Sequence, residues 1–334
     1  ADYLFDAKHF RGIIDICVTD GRLLAAAAVQ ICGIVPERVV SIPGGVRSPI
    51  VPVTPRTCKS HLRIGYVGRL AQSDKRVLDL IPLVARLEEG RLPYTLVIAG
   101  DGPEREALLK SFARRVEEGK VSFAGWVDAA KLSEDIYPHL DCLVQFSPSE
   151  GVTIAGREAM VHGVVPVTSQ FTGLNAEGVY LNEVNSLVFP VGDISAAAEA
   201  LRRLSKEPGL LSTLSANAMD SQTAEYTYEG AINSWAMALD RCLKMPLALA
   251  DARDLNLPPD GRLARLRVPD GLAQRIRDLA RRRSKNNDPS GEWPTNSGVM
   301  DAVTASEIKR FAADYEAGGF SPPRSERNAV GNRA

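Results

Sequence analysis

Cys142-Leu143-Val144-Gln145-Phe146-Ser147-Pro148-Ser149-Glu150-Gly151-Val152-Thr153-Ile154-Ala155-Gly156-Arg157-Glu158-Ala159-Met160 reads as a strand, a loop and a helix. The apolar run Cys142 to Phe146 has the length and composition of a buried strand. Glu150 falls in the polar loop after it, and Glu158 falls inside the following helix. At about 1.5 Å of rise per residue, the eight-residue spacing corresponds to roughly 12 Å along a helix axis. That is about the length of a sugar–diphosphate–ribose ligand. A carboxylate at each end would hold hydroxyls, and the backbone N–H groups between them would face the diphosphate, helped by the positive end of the helix dipole. On spacing alone, two surface glutamates flanking a helix are the commoner pattern. The rest of the chain decides between the two readings.

Outward from this stretch, strand and helix alternate from residue 61 onward. Leu62 to Val67 is a predicted strand ending at Gly68. Asp74 is a candidate cap for a helix carrying Val77, Leu78, Ile81, Val84 and Leu87 at helical spacing. Tyr94 to Ala99 is the next strand, ending in Gly100-Asp101-Gly102-Pro103, with Pro103 suited to a first helical position. Val121 to Phe123 follows, with Asp128 as a cap for a helix reaching Tyr137, and Val164 to Val167 completes the core. Such alternation implies right-handed crossovers, a parallel sheet and helices on both faces. Ligands of these sheets bind at the carboxyl ends of the strands, where Gly68, Gly100 and Ser147 to Gly151 all fall.

Residues 1–60 hold one further unit of this kind: a strand from Ile13 to Val18, a helix from Arg22 to Cys32, and Val39 to Ile42. Pro43-Gly44-Gly45 ends it, and Pro49, Pro52 and Pro55 punctuate a linker. After Cys242 the character changes. Nine basic residues against two acidic ones lie between Arg262 and Lys285, followed by the breaker-rich run Asn286 to Gly291. A solvated helix and flexible tail is the default reading, with a patch for anionic lipid headgroups as the minority one.

The composition is that of a soluble globular protein: 334 residues, 45% hydrophobic, 24% charged and a net charge of −1. Near-neutrality offers no overall attraction to nucleic acid. Five scattered cysteines without C-x-x-C spacing fit reduced thiols in a cytoplasmic protein. No stretch approaches the length of a membrane helix, and charges at Asp2, Asp6 and Lys8 interrupt any signal peptide. The chain opens on Ala1, as after loss of an initiator or as a piece of a longer protein.

Arg69 and Lys75 lie just after the first strand of the alternating region. An Arg offering a forked bond and a Lys offering a movable point charge suit a diphosphate, though alone they also read as solvated residues at a helix start. Five motifs then stand in order: Gly65-Tyr66-Val67-Gly68-Arg69-Leu70 with Lys75; Ile98-Ala99-Gly100-Asp101-Gly102-Pro103-Glu104; Val121 to Val127; Ser147 to Gly151; and Glu158-Ala159-Met160-Val161-His162-Gly163-Val164-Val165-Pro166-Val167. Together they resemble the nucleotide-sugar-binding half of the family 4 glycosyltransferases of the GT-B fold, over about residues 61–243.

The resemblance implies an α/β architecture of GT-B type: a Rossmann-like parallel sheet with helices on both faces, a partial N-terminal α/β unit and a C-terminal extension. Residues 1–60 would be the remnant of an acceptor domain with its linker. Residues 61–243 would bind the donor, and 244–334 would be an extension, partly helical and partly disordered. Arg69 and Lys75 match the basic pair on the donor diphosphate. Glu158 matches the residue on the ribose, and Glu150 the one at the sugar end. Gly68 and the backbone of Gly151, Val152 and Thr153 close on the ligand, and Trp126 and Val127 sit where the nucleobase is held. The implied reaction is sugar transfer from a nucleoside-diphosphate sugar to a hydroxyl of a glycan, lipid or small molecule, with retention, with no metal and no cofactor. The implied location is cytoplasmic, with weak attachment of the basic tail to the inner face of the membrane as a secondary expectation.

Two departures stand out. Val152-Thr153 replaces the aromatic-glycine pair that usually follows the first Glu-Gly, with Thr153 suited to a helix start. Most of the N-terminal half, which carries the acceptor site and often a catalytic histidine, has no counterpart; none of His9, His61, His139 and His162 is assigned that histidine's role, and His162 belongs to a helix-ending His-Gly pair. The alternative reading is therefore a truncated homologue that binds a nucleotide sugar or a partner without turnover. A sugar-nucleotide epimerase lacks an acid–base pair here, and a nicotinamide dehydrogenase is disfavoured because Arg105 stands where the third fingerprint glycine belongs.

Overall fold

The apolar run Leu62 to Val67 is the centre of a six-stranded sheet, and its burial on both faces, with no exposed residue, follows from helices covering both. The computed structural model of the protein describes residues 2–50, 52–57, 61–151, 153–221, 223–245, 272 and 302–318. In chain order, α1 (Asp2–Phe10), β1 (Cys17–Thr19), α2 (Arg22–Gln30) and β2 (Val39–Ser41) come first. Next are β3 (Leu62–Val67), α3 (Gln72–Lys75), α4 (Leu80–Glu89), β4 (Tyr94–Ala99), α5 (Arg105–Glu117), β5 (Val121–Gly125) and the single turn α6 (Ala129–Lys131). Then follow β6 (Cys142–Gln145), α7 (Ile154–Val161), β7 (Val165–Ser169), α8 (Leu174–Glu177) and β8 (Leu187–Phe189). Four helices close the list: α9 (Ile194–Lys206), α10 (Leu210–Asp220), α11 (Tyr228–Lys244) and α12 (Ala302–Glu316).

The chain packs as two compact units. One comprises Asp20–Leu23 with Ile42–Met237; the other comprises Ala1–Thr19, Leu24–Ser41 and Ala238–Ala334. In the larger unit the strand order is β5-β4-β3-β6-β7-β8, and every pairing is parallel. The chain leaves β3 in one direction through β4 and β5, then returns to lay β6 on the other side of β3. The crevice between the carboxyl ends of β3 and β6 is therefore the place where strand order reverses, and ligands of open α/β sheets bind there.

One face of the sheet buries Ile64, Tyr66, Leu96, Ile98, Val144, Phe146 and Val167 against Leu80, Leu83, Val84, Phe112, Leu201 and Leu204 of α4, α5 and α9. The other buries Val97, Ala99 and Leu143 against Leu132, Tyr137, Leu140 and Ala159. At the amino ends, Arg63 locks β3 to β6: its Nη2 lies 2.6 Å from Asp141 Oδ1, and its own N–H donates to Oδ2 at 2.9 Å. This pair raises the Arg63 pKa by hydrogen bonding to the buried Asp141. In the smaller unit β1 and β2 pair in parallel, and Leu4, Ala27, Ala28, Cys32, Ile34 and Ile308 form its core.

Strands β3 to β7 fall within two residues of their sequence expectations, whereas the edge strand β8 had none; local chemistry moved the helix starts. Asp74 caps nothing: it is buried inside the four-residue α3, which stops at Arg76 in the left-handed region (φ 48°) before a separate turn leads into α4. Pro103 lies in a turn, and α5 begins at Arg105. Asp128 does cap α6, accepting the N–H of Lys131 at 3.0 Å, and the chain then continues through a wide turn and a tight one to His139. The N-terminal strand is shorter than Ile13–Val18 and begins at Cys17. The segment around Arg56 is more than a tether: its N–H donates to Ser215 Oγ at 2.8 Å, and its guanidinium donates to the carbonyls of Tyr137 and His162. The basic run 262–285 lies outside the described residues apart from Leu272. No helix among the described residues is long and apolar enough to cross a membrane.

Candidate functional site

Backbone contacts at the carboxyl edge bring the site together. Gly68 ends β3 and donates to the carbonyl of Ala99 at 3.0 Å. Gly100 follows β4, and a Cβ there would overlap the Gly68 carbonyl oxygen, so the two strand ends approach as only glycine allows. The loop after β6 is held by the loop after β7. Thr172 donates to the Pro148 carbonyl at 3.0 Å, Glu150 donates to the Thr172 carbonyl at 3.2 Å, and Ser169 Oγ donates to the Ser147 carbonyl at 2.5 Å. A side chain on Gly173 would strike the Glu150 carbonyl.

These contacts alter the spacing between the glutamates. Because residues 149–150 pair with the loop at Thr172, helix α7 begins at Ile154, and Glu158 stands only about 6 Å of helical rise from its start. The roughly 12 Å that helical rise gave for the spacing therefore does not apply: a pinned loop precedes the helix, and helical rise accounts for only the last turn. Val152 lies outside the described residues. Thr153 occupies the N-cap position without a capping side-chain bond; it is buried, and its hydroxyl instead meets the Tyr180 hydroxyl.

The charged residues pair with one another. Lys75 Nζ lies 2.6 Å from Glu150 Oε1, and Arg69 Nη2 lies 2.8 Å from the buried Asp74 Oδ2. Asp74 thus holds the Arg69 guanidinium at the end of β3, and Lys75 crosses the reversal point from the β3 side to the β6 loop. Glu158 is half-buried and accepts the Tyr137 hydroxyl proton at 2.8 Å. Burial raises its pKa, and the Tyr137 bond and the neighbouring Arg157 pull it back. Trp126, directly after β5, is 76% exposed, while Val127 packs inward near Leu132 and Tyr137. Gln145 Oε1 and Ser149 Oγ, at the end of β6, are buried without a hydrogen-bond partner among the described residues.

His162 is structural. It is buried, stacks on Tyr137 with ring centroids 5.4 Å apart and meets Ser133 Oγ at 2.9 Å. Burial, with a smaller contribution from Arg56, pushes its pKa down to about 4. Several neighbours of the site gave no sequence signal. Tyr137 lies twenty-one residues from Glu158, outside any helical spacing. Arg157, whose side chain is fully buried in α7, donates to the carbonyls of Gly44 and Tyr226 and stacks over the Tyr226 ring at 4.8 Å.

Comparison with known proteins bears on the family and the fold. Residues 61–207 match the sequence model of the family described as Glycosyl transferases group 1. Glycogen synthase of Mycobacterium tuberculosis (strain ATCC 25618 / H37Rv) is 27% identical over 183 residues, 55% of this chain and 43% of that protein. The chain thus spans less than half the length of the curated relatives it matches. Among solved structures, sucrose-phosphate synthase from Thermosynechococcus elongatus superimposes with a TM-score of 0.59 at 19% identity, covering 72% of this chain and 62% of that one. The pneumococcal O-GlcNAc transferase GtfA, in complex with UDP and GlcNAc, gives 0.61 at 16% identity, with 73% and 48% covered. Anabaena HepE in complex with UDP gives 0.55 at 17%, with 68% and 64% covered. Residues 61–207 are therefore similar in sequence to the group 1 glycosyltransferases, on a parallel α/β sheet of the kind found in GT-B glycosyltransferases.

Proposed function

We propose that the carboxyl edge of β3 and β6 binds a nucleoside-diphosphate sugar and serves the transfer of its sugar, with retention, to a hydroxyl acceptor. The observation that carries this reading is the convergence of Arg69 and Lys75 with Glu150, Gly151 and α7 on the point where strand order reverses. Arg69, Lys75 and the N-terminus of α7 would meet the charge that builds on the departing diphosphate, which is electrostatic stabilisation without a metal. Glu158, oriented by Tyr137, would accept from the ribose diol, and Trp126 with Val127 would flank the base. The UDP complexes among the similar folds support a uridine nucleotide as the first ligand to try.

Calorimetric titration of the chain with UDP, GDP and ADP, and with their sugar conjugates, tests the donor site. Binding of one of these in the micromolar to millimolar range, weakened by Glu158→Ala, is expected. Absence of binding to all of them overturns the assignment.

A further inference from the structure

Asp20 lies 131 residues from Gly151 in sequence, yet a Cβ placed on Gly151 would come within 3.1 and 3.3 Å of the two Asp20 carboxylate oxygens. Both residues belong to the larger compact unit, and the contact is held from both sides. On one side, Glu177 at the end of α8 accepts the backbone N–H of Arg22 at 2.6 Å and of Leu23 at 3.4 Å. Gly21 passes so close that a Cβ there would sit 2.6 Å from the same carboxylate, and the Arg22 guanidinium reaches Glu225 at 2.8 Å. On the other side, Thr172 and Gly173, which lead directly into α8, fix the Glu150 backbone. The segment Asp20–Leu23 and the loop Glu150–Gly151 are thus both referenced to residues 172–177.

An acidic residue just before a helix ordinarily serves its N-terminus. Here Glu177 already takes the first N–H groups of α2, which leaves Asp20 without that task. Asp20 is exposed and makes no ion pair among the described residues, whereas Glu150, next to Gly151 in the chain, is paired with Lys75. The carboxylate lies against the Gly151 backbone, where a side chain would crowd it, so a ligand group seated on that loop would meet an acceptor that no cation among the described residues occupies. A diphosphate would be repelled there; a polyol would not. An ionised carboxylate accepts two hydroxyls, one on each oxygen.

We propose that Asp20 is a further donor-site residue, accepting hydrogen bonds from hydroxyls of the donor's sugar at Gly151. The inference rests on the donor-site reading above and deepens it. The test compares the affinity of the full chain for UDP, GDP and ADP with that for UDP-glucose, GDP-mannose and ADP-glucose. The quantity read is the gain in affinity that the sugar adds to its own nucleotide. In Asp20→Asn and Asp20→Ala, affinity for the bare nucleotide should stay within about twofold, while the sugar's contribution falls at least fivefold. An unchanged contribution in both variants overturns the proposal, as does an equal loss for nucleotide and conjugate, which would mark a structural effect. A wild-type chain in which no sugar adds affinity overturns it while leaving nucleotide binding intact. Failure of every nucleotide to bind removes the donor-site reading itself.

Discussion

At 2.6 Å, Lys75 and Glu150 neutralise each other across the point where strand order reverses. A diphosphate would compete with Glu150 for the ammonium, so the two residues should respond differently to mutation. Lys75→Ala removes a cation and leaves Glu150 unpaired, and it should weaken nucleoside diphosphate binding by about tenfold or more, the range of a charged hydrogen bond at ~1.5–3 kcal/mol. Glu150→Gln frees the ammonium, so nucleotide affinity should hold or rise while the sugar's contribution drops. Equal weakening by both substitutions in calorimetry would contradict this division. Glu158 has a pH signature. Burial raises its pKa and the Tyr137 hydroxyl lowers it, so Tyr137→Phe should raise it further. If the ionised carboxylate holds the ribose, affinity for UDP should decline with acidity at a higher pH in Tyr137→Phe than in wild type. Glu158→Gln reports the ligand's own titration, and coincident wild-type and Tyr137→Phe curves after that correction would exclude the role.

At the scale of elements, glycine substitution separates close approach from mere turn geometry. Gly178 has a φ of 64° and open space around its missing Cβ, so Gly178→Ala should cost about 1–2 kcal/mol. Gly100→Ala would drive a Cβ into the Gly68 carbonyl and spread β3 from β4 at the site edge. It should cost more than Gly178→Ala in urea denaturation and also weaken nucleotide binding; equal costs would show that the strand ends can part freely. The same elements explain what could be read from sequence. Buried parallel strands are short, largely apolar runs, closed at the carboxyl end by Gly68 and Gly100 in two cases, so β3, β4 and β6 announced themselves. Helix starts depend on side-chain partners that spacing does not reveal. Asp74 has the chemistry of a cap, but Arg69 takes its carboxylate, and the left-handed Arg76 splits the helix behind it. Glu150 and Lys75 could be singled out from sequence because each lies in the segment that follows a strand of the parallel sheet, and Glu158 because it lies on α7. Tyr137, Arg157 and Asp20 were not, because their partners Glu158, Gly44 and Gly151 meet them through the tertiary fold alone.

Across the whole molecule, two buried titratable groups shape stability in opposite directions. His162 has its pKa pushed down to about 4 by burial, below the ordinary 6.5, so the folded state binds fewer protons than the unfolded one in that interval. Its contribution is present above pH 6.5 and is lost as pH falls toward 4. Glu177 has its pKa pushed up to about 7 by burial, above the ordinary 4.5, although the Arg22 and Leu23 N–H groups oppose the shift. Its contribution is present below pH 4.5 and is lost as pH rises toward 7. Over the shared interval from 4.5 to 6.5 the two slopes offset each other, which predicts a plateau in unfolding free energy for this pair. Glu177→Gln keeps an acceptor for the N–H of Arg22 and removes the charge that burial penalises. The variant should match wild type near pH 4.5 and become progressively more stable, by up to about 3 kcal/mol at pH 8, since one pKa unit corresponds to about 1.4 kcal/mol. Urea denaturation between pH 4.5 and 8 reads this difference directly. A gap between the two proteins that does not change with pH would mean that Glu177 stays ionised in the fold, held by the N-terminus of α2 strongly enough to outweigh its burial.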